Sequence, residues 1–277
     1  MEYLLDDKIR LAFLLGGLFV LYAVEFVIPL VQSYRVSAFK VIPNVMMMVL
    51  LIATNFALSS FTLLVSSWVE SYQIGLLYSI GLSNVYYKLV IGLIFLDLWA
   101  AYLPHILFHK IPWLWRFHAV HHSDTMIDVT TAFRQHPFET IFRIFFHLSG
   151  MVILGLPLVA LFAYLSISAL NAQLEHANLA IPKKMDRFLQ HFYVTPNMHK
   201  VHHSKHQFET DSNYSNIFSV WDRLFGTYHR RENYTTIEYG LDYLEPDDTS
   251  VKNMLIDIPL QTKANQRRKQ AHKKNIV

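Results

Sequence analysis

Long apolar runs alternate with short polar segments along most of this chain. Leu11 to Tyr34 is interrupted only by Glu25, and Val41 to Val69 holds no charged residue. Leu89 to Leu96 and Leu98 to Phe108 are separated only by Asp97. Ile144 to Leu174 is uncharged throughout, with His147 its one titratable group besides tyrosine. Buried core helices of a soluble domain seldom exceed about 20 such residues, whereas a membrane span needs about that number. The pattern predicts an all-α membrane protein with about four or five membrane helices and a His-rich helical cap. The first run is read as a span, not as a cleavable signal peptide. It is long, carries Glu25 in its second half and shows no small-residue cleavage site.

The last apolar region is predicted to be a helical hairpin over residues 138–174. Gly155-Leu156-Pro157 breaks it into two limbs. Each limb is about 17 residues, or roughly 25 Å of helix, close to one bilayer core. The hairpin returns the chain to the side it left, which a shared site on both flanks requires. Basic loops then set the orientation. Arg35 and Lys40 follow the first run, Lys110, Arg116, Arg134 and Arg143 follow the third, and Trp68 to Tyr87 carries no Lys or Arg. The first loop, the histidine clusters and the C-terminus are therefore expected in the cytoplasm.

Three segments follow: N-terminal spans over 1–95, a catalytic unit over 96–240, and a polar, basic tail over 241–277. The tail carries Lys263, Arg267, Arg268, Lys269, Lys273 and Lys274. It reads either as a solvated segment or as a contact to anionic headgroups. Hydrophobic residues make up 53% of the chain and the mean hydropathy is +0.25, in keeping with the membrane reading. With no cysteine there is no disulfide framework and no thiolate metal site. No Gly-rich phosphate loop or dinucleotide fingerprint is present. A net charge of only +3 gives no reason to expect a nucleic-acid partner.

The polar segments hold the chemistry. His105 and His109 form HxxxH, His118, His121 and His122 form HxxHH, and His199, His202 and His203 form HxxHH again. Positions i, i+3 and i+4 share a helix face, so each cluster gathers its imidazoles. Eight such rings exceed one four-ligand structural site and fit two metals. His176, where the hairpin returns, is the ninth candidate ligand by position. Imidazole suits Fe, Zn, Cu and Ni. A histidine-only donor set beside a membrane points to oxygen chemistry on a lipid C–H bond, which needs a redox metal and activated O2.

The ordered set Asp97, His105-x-x-x-His109, His118-x-x-His121-His122-Ser123-Asp124, Thr131 to Glu139, His176-Ala177-Asn178, Thr195 to Ser204 and Trp221 to Thr227 resembles the membrane fatty acid hydroxylase/sterol desaturase superfamily. The resemblance runs from about Asp97 to Tyr228. It implies a helical membrane core under a cytosolic cap with two Fe ions, O2 as co-substrate and a membrane lipid as substrate. It also implies electrons from a separate donor of cytochrome b5, ferredoxin or reductase type, since no fused haem domain is visible. Zn is a further candidate occupant in purified protein. Several relatives carry two histidines in the third box. Here only His176 is present, with Gln173 and Glu175 nearby, so a tenth ligand stays open.

The expected reaction is hydroxylation, because one hydrogen abstraction with rebound is the default outcome; desaturation is the alternative. A metal transporter would place its ligands near the bilayer midplane, and a zinc hydrolase of the HExxH type lacks its motif here. Asp97, Asp124, His136, Glu175 and Asp222 are candidates to support the ligands or to add one. For Asp97 the natural role is accepting the distal N–H of a ligand histidine. His147 and His191 are expected to be structural or peripheral, His206 solvated, and His229 and His272 exposed. Trp99, Tyr102, Trp113, Trp115 and Phe117 read as interface anchors. Pro104 is expected to start or kink the helix that bears His105.

Overall fold

The computed structural model describes residues 7–31, 38–244 and 250–274. Helices build it, and among the described residues there is no β-strand, only isolated bridges. Helix α1 spans Asp7–Val27 and α2 spans Ala38–Ser71. Helix α3, Val85–Lys110, starts at Asn84, whose side chain accepts the N–H groups of Tyr86 and Tyr87. Helix α4 is Pro112–His122, α5 Pro137–Leu154 and α6 Leu158–His176. Helices α7, Lys183–Leu189, and α8, Pro196–His202, follow, and α9, Ile258–Lys274, closes the chain.

Four segments are long and apolar enough to cross a membrane: Lys40–Ser79, Val85–Lys110, Pro137–Leu154 and Leu158–His176. Leu11–Val27 in α1 is a shorter apolar helix. The outward faces of α1 and α2 are greasy: Phe19, Phe26, Phe56 and Leu64 all lie exposed. Such faces are stable against lipid rather than water.

The hairpin turns where Gly and Pro stand. Gly155 takes a left-handed φ of 76° to end α5, and Pro157 is the N-cap of α6. The end of α2 meets this turn so closely that a Cβ on Gly75, itself at φ 113°, would lie 2.1 Å from the backbone nitrogen of Gly155. Leu96, Ala100, Met151, Leu154, Leu156, Ala160, Leu161 and Tyr164 form the core between α3, α5 and α6. Within α3, Asp97–Tyr102 is a π-helical segment. It directly precedes Pro104, whose ring would clash with the carbonyl four residues back in a regular α-helix.

A buried polar layer joins the bundle to the cap. Glu25 of α1 accepts the N–H groups of Val129 and Asn178. Lys40 of α2 reaches Asp128 at 2.7 Å and Asp124 at 3.7 Å, and Asn44 donates to Thr130. The end of α1, the start of α2 and the histidine clusters thus share one end of the bundle, and Gly75 and Gly155 lie at the other.

The polar, basic C-terminal segment is helical over much of its length. Its backbone forms α9, which packs on α4; Ile258 at its start and Met254 in the turn before it cluster with Ala119 and Val120. Gln266 donates to the Pro112 carbonyl. The side chains of Arg267, Arg268, Lys269, His272, Lys273 and Lys274 lie outside the described residues.

Candidate metal centre

Four helices bring the nine predicted histidines together. Helix α3 contributes His105 and His109, α4 contributes His118, His121 and His122, and the last residue of α6 is His176. Helix α8 contributes His199 and His202, with His203 as its C-cap. The rings fall into two groups, each with ligand atoms within 4.8 Å of one another. His105, His109, His118, His122 and His202 make one; His121, His176, His199 and His203 make the other.

The HxxHH clusters do not each serve one group. In α4 the first and last histidines, His118 and His122, join the five-ring group and His121 joins the four-ring group. At α8 the assignment is exchanged: His199 and His203 join the four-ring group and His202 the five-ring group. The two helices therefore relate to the two groups in opposite senses.

The outer contacts fix the rings. His105 Nδ1 donates to the Tyr214 carbonyl at 2.8 Å, His202 Nδ1 to that of Ser212 at 2.7 Å, and His176 Nδ1 to that of Ala172 at 2.6 Å. His118 Nδ1 donates to Glu139 at 3.0 Å, and His109 Nδ1 lies 3.4 Å from Asp211. Carbonyls and carboxylates only accept, so these rings carry their proton on Nδ1 and turn a bare Nε2 inward. The Nε2 atoms converge: His105 to His118 at 3.1 Å, His122 to His118 at 3.2 Å, His176 to His121 and His203 at 3.1 Å each, and His199 to His176 at 3.0 Å. Facing lone pairs at such distances repel unless a cation lies between them. Two ligands at right angles about 2.1 Å from one ion stand about 3.0 Å apart. His109 Nε2 and His202 Nε2 are buried with no hydrogen-bond partner. The donor set fits a bound pair of metal ions.

Electrostatics favour the same state. Burial, reinforced by neighbouring rings, holds His121, His122, His199 and His203 well below the ordinary imidazole value. Burial takes His202 down to about 3. Neutral rings are the form that binds metal. All nine rings are buried, and the side chain of His109 is wholly shielded from solvent. It borders a cavity of about 160 Å³ with Trp115, Gln207, Tyr243 and Gln266.

The supporting candidates divide. Asp97 touches no histidine; it accepts the N–H groups of Ile217 and Phe218 and the indole N–H of Trp221. It pins the Asn216–Trp221 loop to the π segment instead of orienting a ring. Asp124 accepts from Thr131 and Met126 and faces Lys40, so it belongs to the joining layer. Asp222 accepts the N–H groups of Tyr214 and Ser215, holding the loop whose carbonyl receives His105. His136 caps α5, accepting the Phe138 N–H, and its Nε2 donates to the Leu255 carbonyl. Of the five, Glu175 alone approaches a ring nitrogen of the nine, with Oε1 3.7 Å from His199 Nε2.

Among the remaining histidines, His206 is exposed as expected and His191 is exposed at the periphery, whereas His229 is half-buried against Phe208. Trp115 is no interface anchor: its ring lies 4.8 Å from that of His109 and 5.2 Å from that of His122. Trp99 and Tyr102 are likewise drawn inward, to Ser149 and Thr227.

Sequence reasoning missed Glu139 and Asp211 as partners of His118 and His109. Glu139 left a trace, an acid opening an apolar run four residues before Arg143, with which it pairs at 2.8 Å. Asp211 left none. The carbonyl partners Ala172, Ser212 and Tyr214 are backbone groups and carry no side-chain signature.

Comparison with known proteins gives a consistent result. An ornithine lipid hydroxylase of Rhizobium tropici is 31% identical over 155 residues, 56% of this chain and 46% of the relative. A cholesterol 25-hydroxylase-like protein of Danio rerio is 31% identical over 152 residues, 54% of this chain and 58% of the relative. An alkylglycerol monooxygenase of Danio rerio is 30% identical over 142 residues, 51% of this chain and 30% of the relative. The matches thus cover about a third to rather more than half of these relatives. No solved structure matches. The fatty acid hydroxylase family model matches residues 89–227, half of the chain and every one of the nine clustered histidines. The chain belongs to the fatty acid hydroxylase family.

Proposed function

We propose that this protein is a di-iron membrane monooxygenase that uses O2 to hydroxylate a C–H bond of a lipid. The observation that carries the reading is the convergence of nine imidazole Nε2 atoms in two groups at one end of a set of membrane-length helices. The names of the relatives, each a hydroxylase or monooxygenase, support the same reaction class.

His105, His109, His118, His122 and His202 would hold one ion, and His121, His176, His199 and His203 the other. Bound iron would supply O2 reduction and oxidation of the C–H bond. The chain's own contribution is position and seclusion. Glu139, Asp211 and the carbonyls of Ala172, Ser212 and Tyr214 hold the rings so that the lone pairs meet. Burial of all nine rings excludes bulk water, which would protect an oxidant from quenching. Residues 96–240 form the catalytic unit in this reading. The basic residues beside the cap favour a site on the cytoplasmic face, where a separate protein would donate electrons.

The test is lipid mass spectrometry on membranes of cells with and without the expressed chain, grown in air. A lipid class heavier by one oxygen atom is expected and names the substrate. Loss of two hydrogens would replace hydroxylation by desaturation. An unchanged lipid profile from cells whose purified protein carries no bound metal would refute the reading.

A further inference from the structure

We infer that Glu175 supplies a carboxylate ligand to the four-histidine group, so that each metal position has five protein donors. The inference rests on the two-ion reading above and deepens it. Its first support is the exchange between the HxxHH helices. Each group takes two rings from one such helix and a single ring from the other. The five-ring group is completed by a pair from α3, His105 and His109. The four-ring group receives only His176 from α6, so one donor in the same place is wanting.

Glu175 is the adjacent residue and is buried. The other two acids that approach these rings, Glu139 and Asp211, lie at the outward Nδ1 atoms of His118 and His109. Glu175 lies at an inward atom, with Oε1 3.7 Å from His199 Nε2. Two donors about 2.1 Å from one ion lie roughly 3.0 Å apart at right angles and about 4.2 Å apart when opposed, and this separation falls between those limits. The carboxylate is also oriented. Asn171 Nδ2 donates to Oε2 at 3.4 Å, and Asn171 in turn accepts the Tyr193 hydroxyl. Among the described residues no Lys or Arg forms an ion pair with Glu175, and a buried carboxylate without a cation is costly. A metal ion supplies that cation. The two ions then differ, one held by five neutral rings, the other by four rings and a negative oxygen.

The test loads the detergent-purified full chain anaerobically with Fe(II) or Co(II) and follows metal content against rising chelator. The wild type is expected to hold two ions. E175Q keeps the size and the Asn171 contact but loses the charge, and should release one of the two ions at about 10–100-fold lower chelator. Equal retention of both ions by E175Q would overturn the inference and leave the two-ion reading intact. A wild-type chain that binds fewer than two ions would overturn that reading itself. Infrared difference spectra of the wild type with carboxyl-labelled glutamate need no variant. Metal loading should shift a carboxylate stretch, and spectra unmoved by loading would overturn the role of Glu175.

Discussion

Glu139 Oε2 lies 3.0 Å from His118 Nδ1, while its other oxygen lies 2.8 Å from Arg143 of the same helix. One carboxylate in the first turn of the hairpin thus locks a ring of the cap to the bundle below it. Replacing Glu139 by Gln keeps an acceptor but removes the charge that both partners use. Metal affinity at the five-ring group should fall about 10–100-fold, with membrane insertion unchanged. Chelator titration of the purified variant checks this, and wild-type retention would show that Glu139 is only a structural pair.

His121 and His202 each cross from their own HxxHH cluster to the other group. His121→Ala and His202→Ala should each abolish turnover while leaving insertion and helix content largely intact. The checks are product formation in membranes and circular dichroism. Full activity in both variants would refute the assignment.

The metal-free protein should be acid-labile. His202 has a folded value of about 3, well under the ordinary value near 6.5. Between those limits the unfolded chain takes up a proton that the folded chain refuses, so stability is intact above about pH 6.5 and lost as pH falls toward 3. Each such ring contributes up to about 1.4 kcal/mol per pH unit. His121, His122, His199 and His203 shift in the same direction and steepen the loss. Thermal melts of the chelated protein should drop from pH 7 to 5, and loading with metal should move the acid midpoint down. A flat melting profile over that range would contradict the neutral-ring arrangement.

Gly155 has Ile74 O within 2.5 Å of where a Cβ would sit, and its φ is positive. Gly155→Ala should therefore destabilise the protein by about 1–3 kcal/mol, seen as a lower melting temperature in detergent. Gly81, also at positive φ but with open space around it, should cost less when changed to Ala.

The sequence exposed the site better than it exposed the site's supports. Length and freedom from charge announced the spans, and Gly155 with Pro157 announced the turn, because apolar runs and helix breakers act locally. The nine rings were legible because imidazoles at i, i+3 and i+4 carry a recognisable spacing. The division of each cluster between two groups was not legible, since it depends on how α4 and α8 face each other. Asp97 misled for a similar reason: an acid in an apolar run signals a polar partner but not which one, and here the partners are two backbone N–H groups and an indole some 120 residues away. The α9 helix was hidden by its polarity, which gives no amphipathic stripe to read.

His121 and His122 are neighbours in the chain, as are His202 and His203, yet each pair divides between the two groups. The spacing between the two metal positions is thus set twice by a single peptide unit. A slip of α4 or α8 by one residue would trade rings between the positions, so an intact pair of groups requires both helices to keep their register. In the two-ion reading a path for a lipid would open among elements that carry no ring, and α1 and α2, whose outward faces are bare but whose cap-side ends are tied by Glu25, Lys40 and Asn44, could yield only away from that polar layer.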